Sequence, residues 1–167
     1  MGSGKSTIGP ILANVLGYEF VDLDKLIEKE TKKSVTQIFA DEGEEAFRNQ
    51  ELNTLKKILK NKKYIISLGG GTIQSKKTLN LLKQNGILIY LEVEIEMLYK
   101  RLRNKTNRPV ILNIDGEKLS EIELKKKINL LLEKRKLYYE MAFLTINISA
   151  TTVGETVDKI IKELNKL

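Results

Sequence analysis

The sequence predicts an α/β fold, a parallel sheet covered on both faces by helices. Three observations carry this. Short apolar runs around Tyr18–Val21, Tyr64–Leu68, Ile87–Leu91 and Leu144–Ile148 alternate with longer segments of helical periodicity, the pattern of βαβ crossovers. The run Tyr64-Ile65-Ile66-Ser67-Leu68 is nearly continuous in apolar residues, as a strand buried on both faces should be. The chain also opens on Met1-Gly2-Ser3-Gly4-Lys5-Ser6-Thr7, the back half of the phosphate-binding loop G-x-x-x-x-G-K-[ST].

That loop has a physical mechanism. Glycines at 2 and 4 admit backbone conformations closed to residues with a Cβ, so successive N–H groups can converge on one anion. The following helix adds its own N–H groups and the positive end of its dipole. In this geometry Lys5 reaches the β- and γ-phosphates and the Ser6 hydroxyl ligates Mg²⁺. A flexible tag remnant is the alternative for Met-Gly-Ser. Against it, Ile8, Ile11, Leu12, Val15 and Leu16 follow at once with helical spacing.

The elements follow in order. A helix over about 5–16 stops at Gly17, a residue suited to a left-handed cap. A short strand then ends at Asp22-Leu23-Asp24, and a charged helix runs to about Lys32. Ser34-Val35-Thr36-Gln37 is a capping box opening a short helix, which Asp41-Glu42-Gly43 breaks before a long helix over about 44–60. The second strand runs into Gly69-Gly70-Gly71-Thr72. A helix over 75–85 ends at Gly86, a third strand follows, and then a helix over 94–104. Residues 105–117 are polar and read as a loop. A helix from about Lys118 towards Met141, a fourth strand, and a helix opened by the Thr152–Glu155 capping box complete the chain.

Composition narrows the function. A chain of 167 residues with 41% hydrophobic and 31% charged residues is one soluble globular domain. No apolar run approaches the roughly 20 residues of a membrane span, and nothing resembles a signal peptide. The absence of cysteine excludes disulfides and thiolate metal sites, and the absence of histidine leaves carboxylates as the candidate general bases. The net charge of +7 is spread over helices and interleaved with glutamate, which reads as solvated faces rather than a nucleic-acid footprint.

In parallel sheets ligands bind beyond the C-terminal strand ends, and the unusual residues fall there. Asp22 and Asp24 at one strand end can project the same way, one holding Mg²⁺ through water and the other accepting a hydroxyl proton; capping of the next helix is the alternative. Gly69–Gly71 suit a backbone pressed against a ligand, or a plain tight turn. Arg48 and Arg135 lie in helical segments, where surface pairing is the simpler expectation.

Together these pieces resemble the shikimate kinase family. The resemblance is carried by Gly-Ser-Gly-Lys-Ser-Thr at 2–7, Phe-Val-Asp-Leu-Asp at 20–24 and Ile-Phe-Ala-Asp-Glu-Gly-Glu-Glu-Ala-Phe-Arg at 38–48. Gly-Gly-Gly-Thr at 69–72, Asn-Arg-Pro at 107–109, and Arg135 followed by Tyr138-Tyr139-Glu140 extend it through the chain in order. The resemblance implies an ATP-dependent enzyme that phosphorylates the shikimate 3-hydroxyl in aromatic amino acid biosynthesis. It implies that Gly2, Ser3, Gly4, Lys5, Ser6 and Thr7 bind ATP, with Ser6 and Asp22 on Mg²⁺. Asp24 engages the substrate hydroxyls as base, Arg48 and Arg135 pair with the substrate carboxylate, and Gly69, Gly70 and Gly71 contact the ring. Arg108 closes on the phosphates from a lid over about 105–117, and Arg101 stacks on adenine. Residues 25–62 form the substrate-binding helical segment of a single kinase domain. The family implies a cytoplasmic monomer with no nucleic-acid or membrane partner. Other readings are another small-metabolite P-loop kinase, such as a gluconate kinase, or a non-catalytic nucleotide-binding relative.

The implied fold is the P-loop, nucleoside-monophosphate-kinase-like three-layer sandwich with a five-stranded parallel sheet. The pattern contains four strand segments, and the strand and first glycine that precede such a loop are absent from this chain. The expectation is that Met1 is an internal methionine and that the natural chain is about ten residues longer. Lid residues Arg-Pro-Val-Ile and the Phe143 position depart mildly from the family pattern.

Overall fold

The computed structural model describes residues 2–104, 111 and 117–167. They form two compact units, Lys5–Gly86 and Met1–Gly4 with Ile87–Leu167.

In Lys5–Gly86 the order is α1 (Lys5–Leu16), β1 (Glu19–Asp22), α2 (Leu23–Thr31), α3 (Val35–Ile58), β2 (Tyr64–Ser67) and α4 (Lys76–Asn85). Strands β1 and β2 pair in parallel with Glu19 opposite Tyr64 and Asp22 opposite Ser67. Their C-terminal ends therefore lie side by side, and the two loops that follow start from one edge. The core of this unit joins Leu23 and Ile27 of α2 to Ile38, Phe47 and Ile58 of α3, with Val21, Tyr64 and Ile66 of the strands packed on it. Burying side chains of this size stabilises by roughly 1.5–3 kcal/mol each.

Sequence-local signals set the boundaries. Gly17 ends α1 at φ +66°, and Ser34 and Gln37 exchange side-chain and backbone bonds at the start of α3. The expected break at 41–43 is confined to Gly43. Its φ of 84° and ψ of 172° interrupt an otherwise continuous α3, in a region essentially reserved for glycine.

Helix α1 lies against β1 through Gly9. A Cβ there would overlap the Phe20 ring, with Cδ2 2.9 Å away and Cε2 closer still. Gly9→Ala should therefore lower stability by about 1–2 kcal/mol, because overpacking outweighs the gain in helix propensity. Thermal melts should show Tm lower by roughly 2–8 °C.

The second unit contains β3 (Ile89–Glu92), α5 (Ile95–Leu102), α6 (Glu121–Tyr139), β4 (Leu144–Asn147) and α7 (Val153–Leu164). Strands β3 and β4 are parallel, with Ile89 opposite Leu144. Helix α6 starts at a capping box between Ser120 and Glu123, later than the expected Lys118. Lys125 ties α6 to α5 by pairing with Glu121 at 2.6 Å and Glu96 at 2.7 Å. Those hydrogen bonds, Glu121 first, hold its amine up at about 12. Helix α7 opens on the expected Thr152–Glu155 capping box.

Strand direction is parallel as expected, and the four strand segments expected of this chain are all present among the described residues. Each unit holds one parallel pair, β1–β2 in the first and β3–β4 in the second. Among the described residues, no helix is long and apolar enough to cross a membrane.

Candidate active site

The glycine loop after β2 is where two of the candidate residues of Lys5–Gly86, Asp24 and Arg48, meet. Asp24 lies in the first turn of α2, and its Oδ1 is 2.8 Å from the point where a Cβ on Gly69 would sit. Arg48, on the second half of α3, approaches Gly71 so closely that a Cβ there would collide with Nη2 and Cζ. A side chain at 69 or 71 would push Asp24 or Arg48 out of its present position, with no left-handed backbone involved. Gly69–Thr72 is itself a hydrogen-bonded turn, with Thr72 N donating to the Gly69 carbonyl at 3.2 Å, so the tight turn and the close approach of two side chains are both present.

Arg48 is held from several sides. Its Nη1 donates to Glu51 Oε2, and its Nη2 and Nε donate to Glu44 Oε1 at 2.9 and 3.2 Å. Its Cζ lies 5.2 Å from the Phe47 ring centroid and 5.7 Å from that of Phe39, within cation–π range. Burial alone would lower the guanidinium, but the bonds to Glu51 and Glu44 carry it above its ordinary value.

Glu51 is a buried carboxylate beside these residues that the sequence pattern does not single out. Only 2% exposed, it accepts from Thr72 Oγ1 at 2.6 Å as well as from Arg48. One buried carboxylate thereby fastens α3 to the glycine loop. Among the described residues no buried side-chain polar atom lacks a hydrogen-bond partner, so the network is satisfied as buried polar groups require.

Asp22 takes the capping alternative: it is the N-cap of α2, and its Oδ1 accepts from Lys25 N at 3.3 Å. Asp22 and Asp24 are therefore not two residues of one strand. Asp22 ends β1 while Asp24 belongs to the helix, which replaces the strand-alternation reason for pairing them. Lys5, Ser6 and Thr7 form the first turn of α1, with Ser6 and Thr7 exposed. Their backbone N–H groups are those a helix start leaves without intrahelical partners.

Gly2 and Gly4 have φ of 68° and 88°, and Ser3 between them is buried. Arg101 Nη1 donates to the Gly2 carbonyl at 3.1 Å, while Leu98 and Leu102 of α5 pack beneath Gly2. Arg135 lies half-buried on α6 in the second unit. Gly70 sits between the two close contacts of its loop. Arg108 and most of the expected lid lie outside the described residues.

A glycine-lysine-serine loop opening a helix, in a chain of parallel strand pairs and helices that superposes on solved kinases, defines a P-loop small-molecule kinase of the nucleoside-monophosphate-kinase-like α/β class. The shikimate kinase family model matches residues 1–165. The chain is 47% identical over 165 residues to a shikimate kinase of Chlorobium chlorochromatii, covering 99% of this chain and 87% of that one. Among solved structures, shikimate kinase from Bacteroides thetaiotaomicron superposes with a TM-score of 0.88 at 30% identity, covering 100% of this chain and 94% of the other. Shikimate kinase from Acinetobacter baumannii in complex with shikimate gives 0.87 at 32% identity, covering 99% and 89%. The chain belongs to the shikimate kinase family and is an ATP-dependent kinase.

Proposed function

We propose that this protein transfers the γ-phosphoryl group of ATP to the 3-hydroxyl of shikimate, as a cytoplasmic monomer whose 25–62 segment holds the substrate. The observation that carries this reading is the meeting of Asp24 and Arg48 on the two ends of Gly69–Gly71. A carboxylate and a guanidinium flanking bare backbone suit a ring bearing hydroxyls at one side and a carboxylate at the other.

In this reading Asp24 accepts the hydroxyl proton as the substrate oxygen bonds to the γ-phosphorus. The bond to the β–γ bridging oxygen breaks, and ADP leaves with its electron pair. Arg48 and Arg135 hold the substrate carboxylate, and the Gly69, Gly70 and Gly71 backbone borders the ring. Lys5 and the amides of 2–7 hold the phosphates. Arg101, whose guanidinium bonds the Gly2 carbonyl, borders the nucleotide, and Arg108 closes over the phosphates.

Ser6 and Asp22 would hold Mg²⁺. The hard oxygens of an exposed first-turn hydroxyl and a carboxylate fit this ion. The Asp22 carboxylate caps α2 through Oδ1, so Oδ2 remains to accept from a metal-bound water. When bound, the ion neutralises phosphate charge.

ADP release by the purified protein, measured with shikimate and separately with gluconate, tests the assignment. Turnover with shikimate alone is expected. Turnover with gluconate alone, or with neither, would overturn it.

A further inference from the structure

Glu44 occupies the side of Arg48 that a substrate anion needs. It begins the second half of α3 directly after the break at Gly43, and its Oε1 accepts from both Nη2 and Nε of Arg48. The remaining nitrogen, Nη1, donates to Glu51. The two carboxylates differ sharply, since the Glu44 side chain is 59% exposed and that of Glu51 is 3% exposed. Nη2 is also the Arg48 atom nearest Gly71. An anion seated against the glycine loop therefore meets first the nitrogen that Glu44 already holds.

We infer that Glu44 is a stand-in for the substrate carboxylate. It holds the guanidinium between turnovers, is displaced when shikimate binds, and so sets the substrate KM without entering the chemistry. The inference rests on reading Arg48 as the carboxylate anchor. All three Arg48 nitrogens already donate to Glu44 or Glu51, so a substrate carboxylate arriving there competes with them and one must withdraw. Glu51 is buried and tied to Thr72, and removing a partner from such a pair strands a desolvated charge. Glu44 returns to water at the small cost of an exposed ion pair.

The device also discriminates. An anionic ring replaces the lost contact in kind, whereas an uncharged analogue breaks a pair without restoring it. Glu44 is a specificity-determining residue that acts through Arg48.

The test compares Glu44→Gln and Glu44→Asp with the unaltered protein, measuring KM for shikimate, KM for ATP and kcat. Glutamine removes the charge. Aspartate keeps a negative charge in the first turn after Gly43 but is one methylene too short for the same grip. Both variants should lower the shikimate KM roughly two- to fivefold, the coupling of an exposed ion pair, with kcat and the ATP KM unchanged. A shikimate KM that stays the same or rises in Glu44→Gln overturns the inference. So does a Glu44→Asp variant with the unaltered KM beside a Gln variant with a lowered one, because the effect would then be a local field and not occupation of the guanidinium. Arg48→Ala in the same assay separates the two levels. An unchanged shikimate KM there removes the anchor reading itself. A raised KM there, with Glu44→Gln unaltered, removes only the displacement.

Discussion

Arg48→Ala will raise the KM for shikimate by about 100-fold or more while leaving the KM for ATP within about twofold. The size follows from two charge-assisted hydrogen bonds to a carboxylate, each worth about 1.5–3 kcal/mol. The selectivity follows from position, since Arg48 touches the glycine loop after β2 and the first turn of α1 is a separate element. Arg48→Lys keeps the charge and loses the planar fork, so it should fall between the two. Steady-state kinetics with each substrate varied in turn checks this. Equal weakening for shikimate and ATP would put Arg48 in some other role.

Glu51→Gln is expected to cost both stability and substrate affinity. Glutamine matches the shape, but its amide offers one acceptor oxygen where the carboxylate serves Thr72 and Arg48 together. Its NH₂ group either faces the Arg48 donor or turns to the Thr72 hydroxyl, whose own proton then loses its acceptor. Leaving a buried group unsatisfied costs about 1–3 kcal/mol. The upper range for broken buried ion pairs is not reached, because the Arg48 side chain is 27% exposed and water reaches it. About 2 kcal/mol corresponds to a Tm lower by roughly 4–8 °C. The shikimate KM should rise roughly tenfold, one lost charged hydrogen bond, as Arg48 loses the tie that aims it. Thermal melts and KM on one preparation read both. A lowered Tm with unchanged KM would make Glu51 a support of the fold alone.

Much of this fold is legible because its signals are local. The Ser34–Gln37 and Thr152–Glu155 capping boxes span three residues, and each begins a helix as expected. The Ser120–Glu123 box is present in the sequence too, yet the helical pattern around Lys118 masks it and draws the expected start too early. Strand alternation suggests that Asp22 and Asp24 share a face. The capping preference of aspartate won instead, placing Asp24 inside α2.

The parts of the site that the pattern misses are joined by non-local contacts. Glu51 meets Thr72 across 21 residues, and Arg101 meets the Gly2 carbonyl across 99. A faint sign of Glu51 does exist. It is a carboxylate on the stripe Phe47, Glu51, Leu55, Ile58 that otherwise faces the core, and three residues from an arginine it has a partner within reach. The crowding at Gly69 and Gly71 has no such sign, because a glycine's neighbours are not written beside it.

The break at Gly43 constrains how this gene can vary. Asp41 and Glu42 before it are exposed residues of α3 that hold Lys33 through surface ion pairs, so substitution there is cheap. At position 43 every amino-acid replacement introduces a side chain into a conformation that L-amino acids avoid. The path of the backbone here thus depends more on one residue without a side chain than on the charged stretch leading up to it.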